Sequence, residues 1–291
     1  MSLNLEQVQA VIGRKLPAIQ YEVTPKNVIL YALGVGAPAD WLDRDELRFV
    51  YELHPDGLRV LPTFAVVYSS SMIDMLISGD IGGIKFNPMM LVHGEQVLEL
   101  KKLLPSSGII TCEPQISGIY DKGSGMLMTT DVRCYDAQGE EVAFTQASMF
   151  IRGLGGFGGE RGETFSVELP DRAPDAVQEE QTLDRQALIY RLSGDINPLH
   201  ADPAMAALGN FDRPILHGLS TFGFAGRAIL KHFCGNDPAR FAGMRVRFSK
   251  HVFPGETLIT EMWQTEQGIV FQTRVKEREA VVLSNALATL R

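Results

Sequence analysis

The clearest alternation of apolar and polar positions lies near the end of the chain. Met244, Val246 and Phe248 alternate with Arg245, Arg247 and Ser249, and Ile269, Phe271, Thr273 and Val275 alternate with Val270, Gln272, Arg274 and Lys276. A period of two sends successive side chains to opposite faces of a sheet, so both runs predict strands. Further strand-like runs cover 258–264 and 280–289, with turn formers at Pro254-Gly255 and Gln267-Gly268. Upstream the period becomes helical. From Leu219 to Phe233 the larger apolar residues are Leu219, Phe222, Ile229, Leu230 and Phe233, with Gly223, Ala225 and Gly226 between them. Each glycine costs a helix about 1 kcal/mol relative to alanine, which suits a face on which a sheet presses closely. Asp202 reads as an N-cap, Pro203 as the first helical residue and Gly209 as a stop, predicting a short helix over 203–208. Helices followed by an antiparallel sheet predict an α+β unit, with the sheet curled round one central helix.

A change of texture runs from about Gly153 to Glu180. It contains GLGGFGGERG (153–162) and PDRAPD (170–175), which suit neither a long helix nor a central strand. The pattern after it repeats, loosely, the pattern before it. Tyr31-Ala32-Leu33-Gly34-Val35-Gly36 matches Tyr190-Arg191-Leu192-Ser193-Gly194-Asp195, and Leu91-Val92-His93-Gly94 matches Ile215-Leu216-His217-Gly218. The expected organisation is therefore two copies of one unit, 1–152 and 181–291, joined by a linker over 153–180. Gly36 stands where the second copy has Asp195, so the second half alone carries that carboxylate.

Composition narrows the classes. At 291 residues the chain is long enough for two such halves, and 45% hydrophobic with 21% charged residues describes an ordinary globular protein. A formal charge of −8, with scattered Lys and Arg, disfavours a nucleic-acid partner but leaves room for a local basic rim around an anionic ligand. Three cysteines without metal-ligand spacing read as reduced, buried thiols. There is no run of eighteen apolar residues, no basic-then-apolar start and no S-K-L ending, so a cytoplasmic protein without membrane contact is expected.

The stretch YRLSGDINPLHADP (190–203) holds the densest chemistry. Gly194 and Pro198 force a turn that brings Asp195, Asn197 and His200 toward one small volume. A carboxylate beside an imidazole can divide proton transfer, and an asparagine can hold a water between them. Gly, Asp, Asn and Pro are also ordinary turn formers, and a lone histidine is usually structural. Gly218 precedes the long apolar helix, where free amides and the helix dipole favour a developing negative charge; it would equally relieve a tight strand-to-helix turn. Arg245, Arg247 and Lys250 lie on one side of a strand and could meet phosphates, although solvated edge charges are the commoner explanation. In the first half the polar candidates are Glu52, His93-Gly94 and Lys122 within DKGSG (121–125).

At these residues the chain resembles the hydratase 2 domain of the peroxisomal type 2 multifunctional enzymes, within the MaoC-like dehydratases. The resemblance runs through YRLSGDINPLH (190–200), FDRPILHGLSTFGF (211–224) and VFPGETL (252–258). In the first half it runs through YALGVGA (31–37), LRFVYE (47–52), LPTF (61–64), LVHGEQ (91–96), DKGSG (121–125) and GGFGG (155–159). It implies a double hot-dog fold, a homodimer, and (R)-specific hydration of a trans-2-enoyl-CoA without metal or redox cofactor. Carried over by position, it implies catalytic Asp195 and His200 assisted by Asn197, the Gly218 amide on the thioester oxygen, and a catalytic carboxylate at Glu52. It further implies substrate contacts at Tyr31, His93, Gly94, Lys122, Tyr190, Ile196, Pro198, Leu199, Arg247 and Phe248. The acyl chain is expected against first-half segments such as 65–92. Two other readings stand beside this one: a hot-dog thioesterase using a similar carboxylate and water, and a non-catalytic acyl-thioester binding module.

Overall fold

The computed structural model describes residues 3–72, 77–81 and 83–291. Its strands are β1 (Ile19–Val23), β2 (Asp80–Ile81), β3 (Ile84–Lys85), β4 (Leu91–Leu100), β5 (Gly108–Asp121), β6 (Gly125–Tyr135), β7 (Glu141–Arg152), β8 (Ala176–Gln181), β9 (Phe241–Phe248), β10 (Thr257–Thr265), β11 (Gly268–Val275) and β12 (Ala280–Leu290). Its helices are α1 (Leu5–Gln9), α2 (Pro25–Gly34), α3 (Arg44–Leu47), α4 (Gln186–Tyr190), α5 (Pro203–Leu208) and α6 (Gly218–Cys234). Ten strands join one antiparallel sheet in the order β1-β5-β6-β7-β4-β9-β12-β11-β10-β8, and β2 pairs with β3 separately. Outward from the β4–β9 seam the two arms run β4-β7-β6-β5-β1 and β9-β12-β11-β10-β8. The same five-stranded order thus occurs twice, and Glu95↔Arg247 through Glu99↔Gly243 is the register that joins the copies.

This symmetry corrects two readings of the sequence. β8 is the counterpart of β1, so the second repeat begins near 176 and the irregular connection covers 153–175, not 153–180. The strand in AVQEEQ was illegible because it lies at the end of the sheet, where Val177 and Glu179 face solvent and the outward positions need not be polar or the inward ones large. The Tyr31/Tyr190 correspondence holds, each residue lying in the helix that follows the first strand of its repeat, with ring centroids 6.0 Å apart. The Leu91–Gly94 and Ile215–Gly218 correspondence does not. The former opens β4, whose counterpart is β9, whereas the latter enters α6. A shared His-Gly dipeptide carried no topological information.

Helix α6 runs through the middle of the molecule, with Ser220 to Leu230 continuously buried. Its glycines do permit a close approach, but from the first half rather than from the sheet. A Cβ at Gly223 would strike the side chain of Val35, and one at Gly226 that of Thr63. The short helix α5 is capped by Asp202 and stopped at Gly209 as its sequence predicts.

Buried charge ties the same helix to both repeats. Arg227 donates to Glu46 at 2.9 Å, to Glu180 at 2.7 Å and to the Val35 carbonyl at 3.0 Å, and Lys231 adds a bond to Glu46 at 3.0 Å. Burial alone would raise the Glu46 carboxyl, but Arg227, the Ala39 amide and Lys231 together hold it below its ordinary value. Burial wins at Glu180, which stays above its ordinary value despite Arg227.

The connection after β7 is held down as well. The Asp121 carboxylate accepts from the amides of Gly123, Gly156 and Gly158, and Phe157 is buried in a small second core with Ile116, Met126 and Ile151. The three cysteines are free and buried. No helix among the described residues is long and apolar enough to cross a membrane.

Candidate active site

Tyr190 ends α4, and the chain turns at Gly194, whose φ of +124° is open to glycine and unfavourable for other residues. A side chain there would also collide with Ser70. This turn throws Asp195 inward. Two residues on, the Asn197 side chain accepts from the Leu199 amide at 3.0 Å and caps a single 3₁₀ turn, Pro198–His200. The carboxamide oxygen of Asn197 is therefore committed to the backbone, and its NH₂ is what it has left for a water or ligand.

His200 is buried at the end of that turn. Its Nδ1 lies 2.8 Å from the Ile215 carbonyl, which can only accept, so Nδ1 carries the proton and Nε2 a bare lone pair. Burial holds His200 below its ordinary pKa, opposed by the Asp195 carboxylate. The ring is thus a neutral base at neutral pH. Asp195, His200 and His217 each place a side-chain donor or carboxylate atom within 4.8 Å of the others. Such a set invites a metal, but the two imidazoles are stacked, with centroids 3.7 Å apart and planes 28° from parallel. Stacked rings carry their in-plane lone pairs side by side instead of converging, which suits coordination of one ion poorly.

Asp195 and His200 open on a cavity of about 600 Å³. The second half lines it with Tyr190, Asp195, Asn197, Pro198, Leu199, His200 and Gly218, and the first half adds apolar residues that include Val66, Met72, Leu91, Met128 and Met149. Of the segment 65–92, expected against the acyl chain, Val66, Met72, Ile81 and Leu91 are among the residues that line this cavity, and residues 73–76 and 82 lie outside the described residues. Gly218 is the first residue of α6, and no side chain caps that end of the helix. Its amide sits where unpaired N–H groups and the helix dipole favour negative charge. A Cβ on Gly218 would lie 3.1 Å from the Phe248 ring. Gly218→Ala is accordingly expected to displace that ring and lower kcat/KM about tenfold, with an unchanged thermal midpoint, in steady-state and melting measurements.

Phe248 also lines a second, polar cleft of about 660 Å³, which holds Gly94, Lys122, Arg245 and Arg247. The His93 ring packs on Phe248 with centroids 4.8 Å apart, and burial pushes its pKa down to about 4, so it is neutral. The basic strand is less free than its sequence suggests. Arg245 and Arg247 both bind Glu95, at 3.0 and 2.7 Å, so one carboxylate offsets half of their charge. Lys122 lies over the Tyr120 ring at 6.0 Å.

Three expected site residues are not brought together with the rest. Tyr31, on α2, is wholly buried against Phe64 and Tyr190 and lines neither cavity. Ile196 is 52% exposed, because the turn that sends Asp195 inward sends its neighbour outward. Glu52 is exposed on the 48–60 segment and lines neither cavity; the buried carboxylate of that region is Glu46, which Arg227 holds. His217 was not among the expected site residues, yet it packs on His200. Its signal was present as a second histidine in Leu216-His217-Gly218, but only folding places it against His200.

Two fused hot-dog repeats, the second carrying a polar loop over 190–203, define a double hot-dog protein. Residues 21–153 match the family model of the MFE-2 hydratase 2 N-terminal domain, and residues 166–286 that of the MaoC like domain. The chain is 44% identical over 288 residues to "Probable enoyl-CoA hydratase 2" of Dictyostelium discoideum, covering 97% of this chain and 96% of that one. It is 45% identical to "Peroxisomal multifunctional enzyme type 2" of Mus musculus, where 96% of this chain covers 38% of the longer protein. Among solved structures, a MaoC-like dehydratase from Phytophthora capsici superposes with a TM-score of 0.87 at 37% identity, over 99% of this chain and 98% of that one. The chain belongs to the hydratase 2 branch of the MaoC-like family.

Proposed function

We propose that this protein is an (R)-specific 2-enoyl-CoA hydratase. The observation that carries the reading is the placement of an Asp195 carboxylate oxygen within 4.8 Å of a ring nitrogen of His200, both residues lining the same cavity, beside the uncapped amide end of α6. In the hydration direction the pair holds one water against the enoyl double bond. One O–H bond breaks, hydroxide adds to C3, and a proton is delivered to C2. Between those events charge resides on the thioester oxygen, where the Gly218 amide donates to it. Asp195 and His200 divide the proton transfer in this step. Water, C3 and C2 account for every atom, so the reaction balances without a redox or metal cofactor.

The acyl chain lies along the methionine-bearing apolar lining of the cavity, and the coenzyme A portion passes Phe248 toward Gly94 and Lys122. A single loop supplies the water, so addition occurs on one face of the double bond. The test is to incubate purified protein with short and medium trans-2-enoyl-CoA, follow loss of the conjugated enoyl absorbance, and identify the alcohol with stereospecific dehydrogenases. Formation of the (R)-3-hydroxyacyl-CoA supports the reading; unchanged enoyl absorbance in folded protein with every chain length sinks it. A homodimer and a cytoplasmic location belong to the same proposal, read by sedimentation and by cell fractionation; some of the relatives are named peroxisomal.

A further inference from the structure

We propose that His217 is a positioning residue that clamps Asp195 and His200 in register with the Gly218 amide, an inference that rests on the hydratase reading. The backbone of two segments, 195–200 and 215–218, is joined by a crossed pair of imidazole bonds. His200 on the first segment donates from Nδ1 to the Ile215 carbonyl of the second, at 2.8 Å. His217 on the second donates from Nε2 to the Asp195 carbonyl of the first, at 3.1 Å. Each segment thus lends a ring and a carbonyl, and the three groups that would act on substrate sit at the ends of this clamp.

The tautomer follows from the partners. A carbonyl only accepts, so Nε2 of His217 is protonated and Nδ1 is bare, and that Nδ1 is buried without a hydrogen-bond partner. His217 does not line the cavity that holds Asp195 and His200, so it cannot exchange a proton with a ligand there. Its ring instead fills the space behind His200, stacked at 3.7 Å, with Tyr190 at 4.9 Å beyond it. The titratable and charged groups facing this pair are Asp195, Arg191 and Tyr190. Burial, then His200 and Arg191, hold His217 well below the ordinary histidine range. It therefore remains uncharged when His200 accepts a proton, avoiding two cations in stacked rings.

Two variants separate the two parts of the clamp. His217→Gln can still donate to the Asp195 carbonyl but removes the stacked ring; His217→Phe keeps a ring against His200 but removes the donor. Both are expected to lower kcat about 10- to 100-fold with KM nearly unchanged, because displacements of the order of an ångström have that effect. Only the Gln variant is expected to move the acid limb of kcat/KM to higher pH, since water reaching His200 relieves its desolvation. Wild-type kcat and an unmoved limb in both variants, or losses that merely follow the folded fraction, would overturn the proposal. Nitrogen NMR of the resting wild-type protein gives a readout independent of turnover: a neutral Nε2–H tautomer for His217 at pH 6 is expected, and a protonated or Nδ1–H ring overturns the clamp. A wild-type chain that hydrates no enoyl thioester overturns the function instead, and the tautomer then decides the clamp by itself.

Discussion

Asp195→Asn is expected to lower the rate of enoyl hydration by about 10² to 10⁴, the range a positioned acid or base contributes. The substitution keeps the shape of the side chain, and the oxygen of the new amide can still accept from the Asn197 amide, which now lies 3.2 Å from Asp195 Oδ1. Folding should therefore be preserved, and circular dichroism with a thermal melt checks it. What is lost is the negative charge facing His200, the one influence from the loop that opposes the burial of that ring. His200 should consequently become a weaker base, and the acid limb of the pH profile should move to lower pH. Hydration at the wild-type rate by folded Asp195→Asn would remove the carboxylate from the mechanism.

The second large effect concerns stability. Arg227 is 7% exposed and binds two carboxylates, Glu46 and Glu180, that belong to different repeats. Removing one partner of a buried charge group leaves the others uncompensated, at a cost of about 3–5 kcal/mol. Arg227→Met keeps the length of the side chain and should show that loss in denaturant titrations at pH 7. The sign of its pH dependence follows from the carboxyls. In the wild type Glu46 is held below its ordinary value of 4.5, so its contribution is fully present above that pH and is lost as pH falls through the lower folded value. Without Arg227, burial raises both carboxyls, so their contribution is present at low pH and lost as pH rises through the raised values. The deficit of Arg227→Met should therefore be largest at pH 7 and shrink toward pH 4. Adding Glu46→Gln and Glu180→Gln to Arg227→Met should recover part of the stability at pH 7, because the two buried side chains then carry no charge, while Lys231, which is partly exposed, keeps Asp43 within 3.7 Å. A deficit independent of pH would assign the effect to packing alone.

The loop over 190–203 was legible because its constraints are local. Gly194 must take a positive φ, Pro198 must begin a turn and Asn197 must cap it, and those three requirements set the spacing of Asp195 and His200. Strands β9 to β12 and helix α6 were legible for a similar reason: each buries one face or most of its surface, and burial writes a period into the chain. β8 has weak sequence constraints at the sheet edge and was absorbed into the linker. Residues whose role depends on partners far along the chain gave no such signal. Glu52 and Glu46 are both acidic residues in one short segment, and only the arrival of Arg227, about 180 positions later, makes Glu46 the buried one.

The sequence by itself determined the fold class, the fusion of two repeats and the chemical equipment of the second, since periodicity, capping and turn geometry act over a few residues. Tertiary structure decided what those residues do for one another. It set the seam at β4 and β9, paired Arg245 and Arg247 with Glu95, turned Ile196 outward and Tyr31 into the core, and stacked His217 on His200. The physical reason is range: hydrogen-bond geometry along the backbone is specified by neighbouring residues, whereas desolvation and charge pairing depend on groups that meet only when the sheet closes round α6.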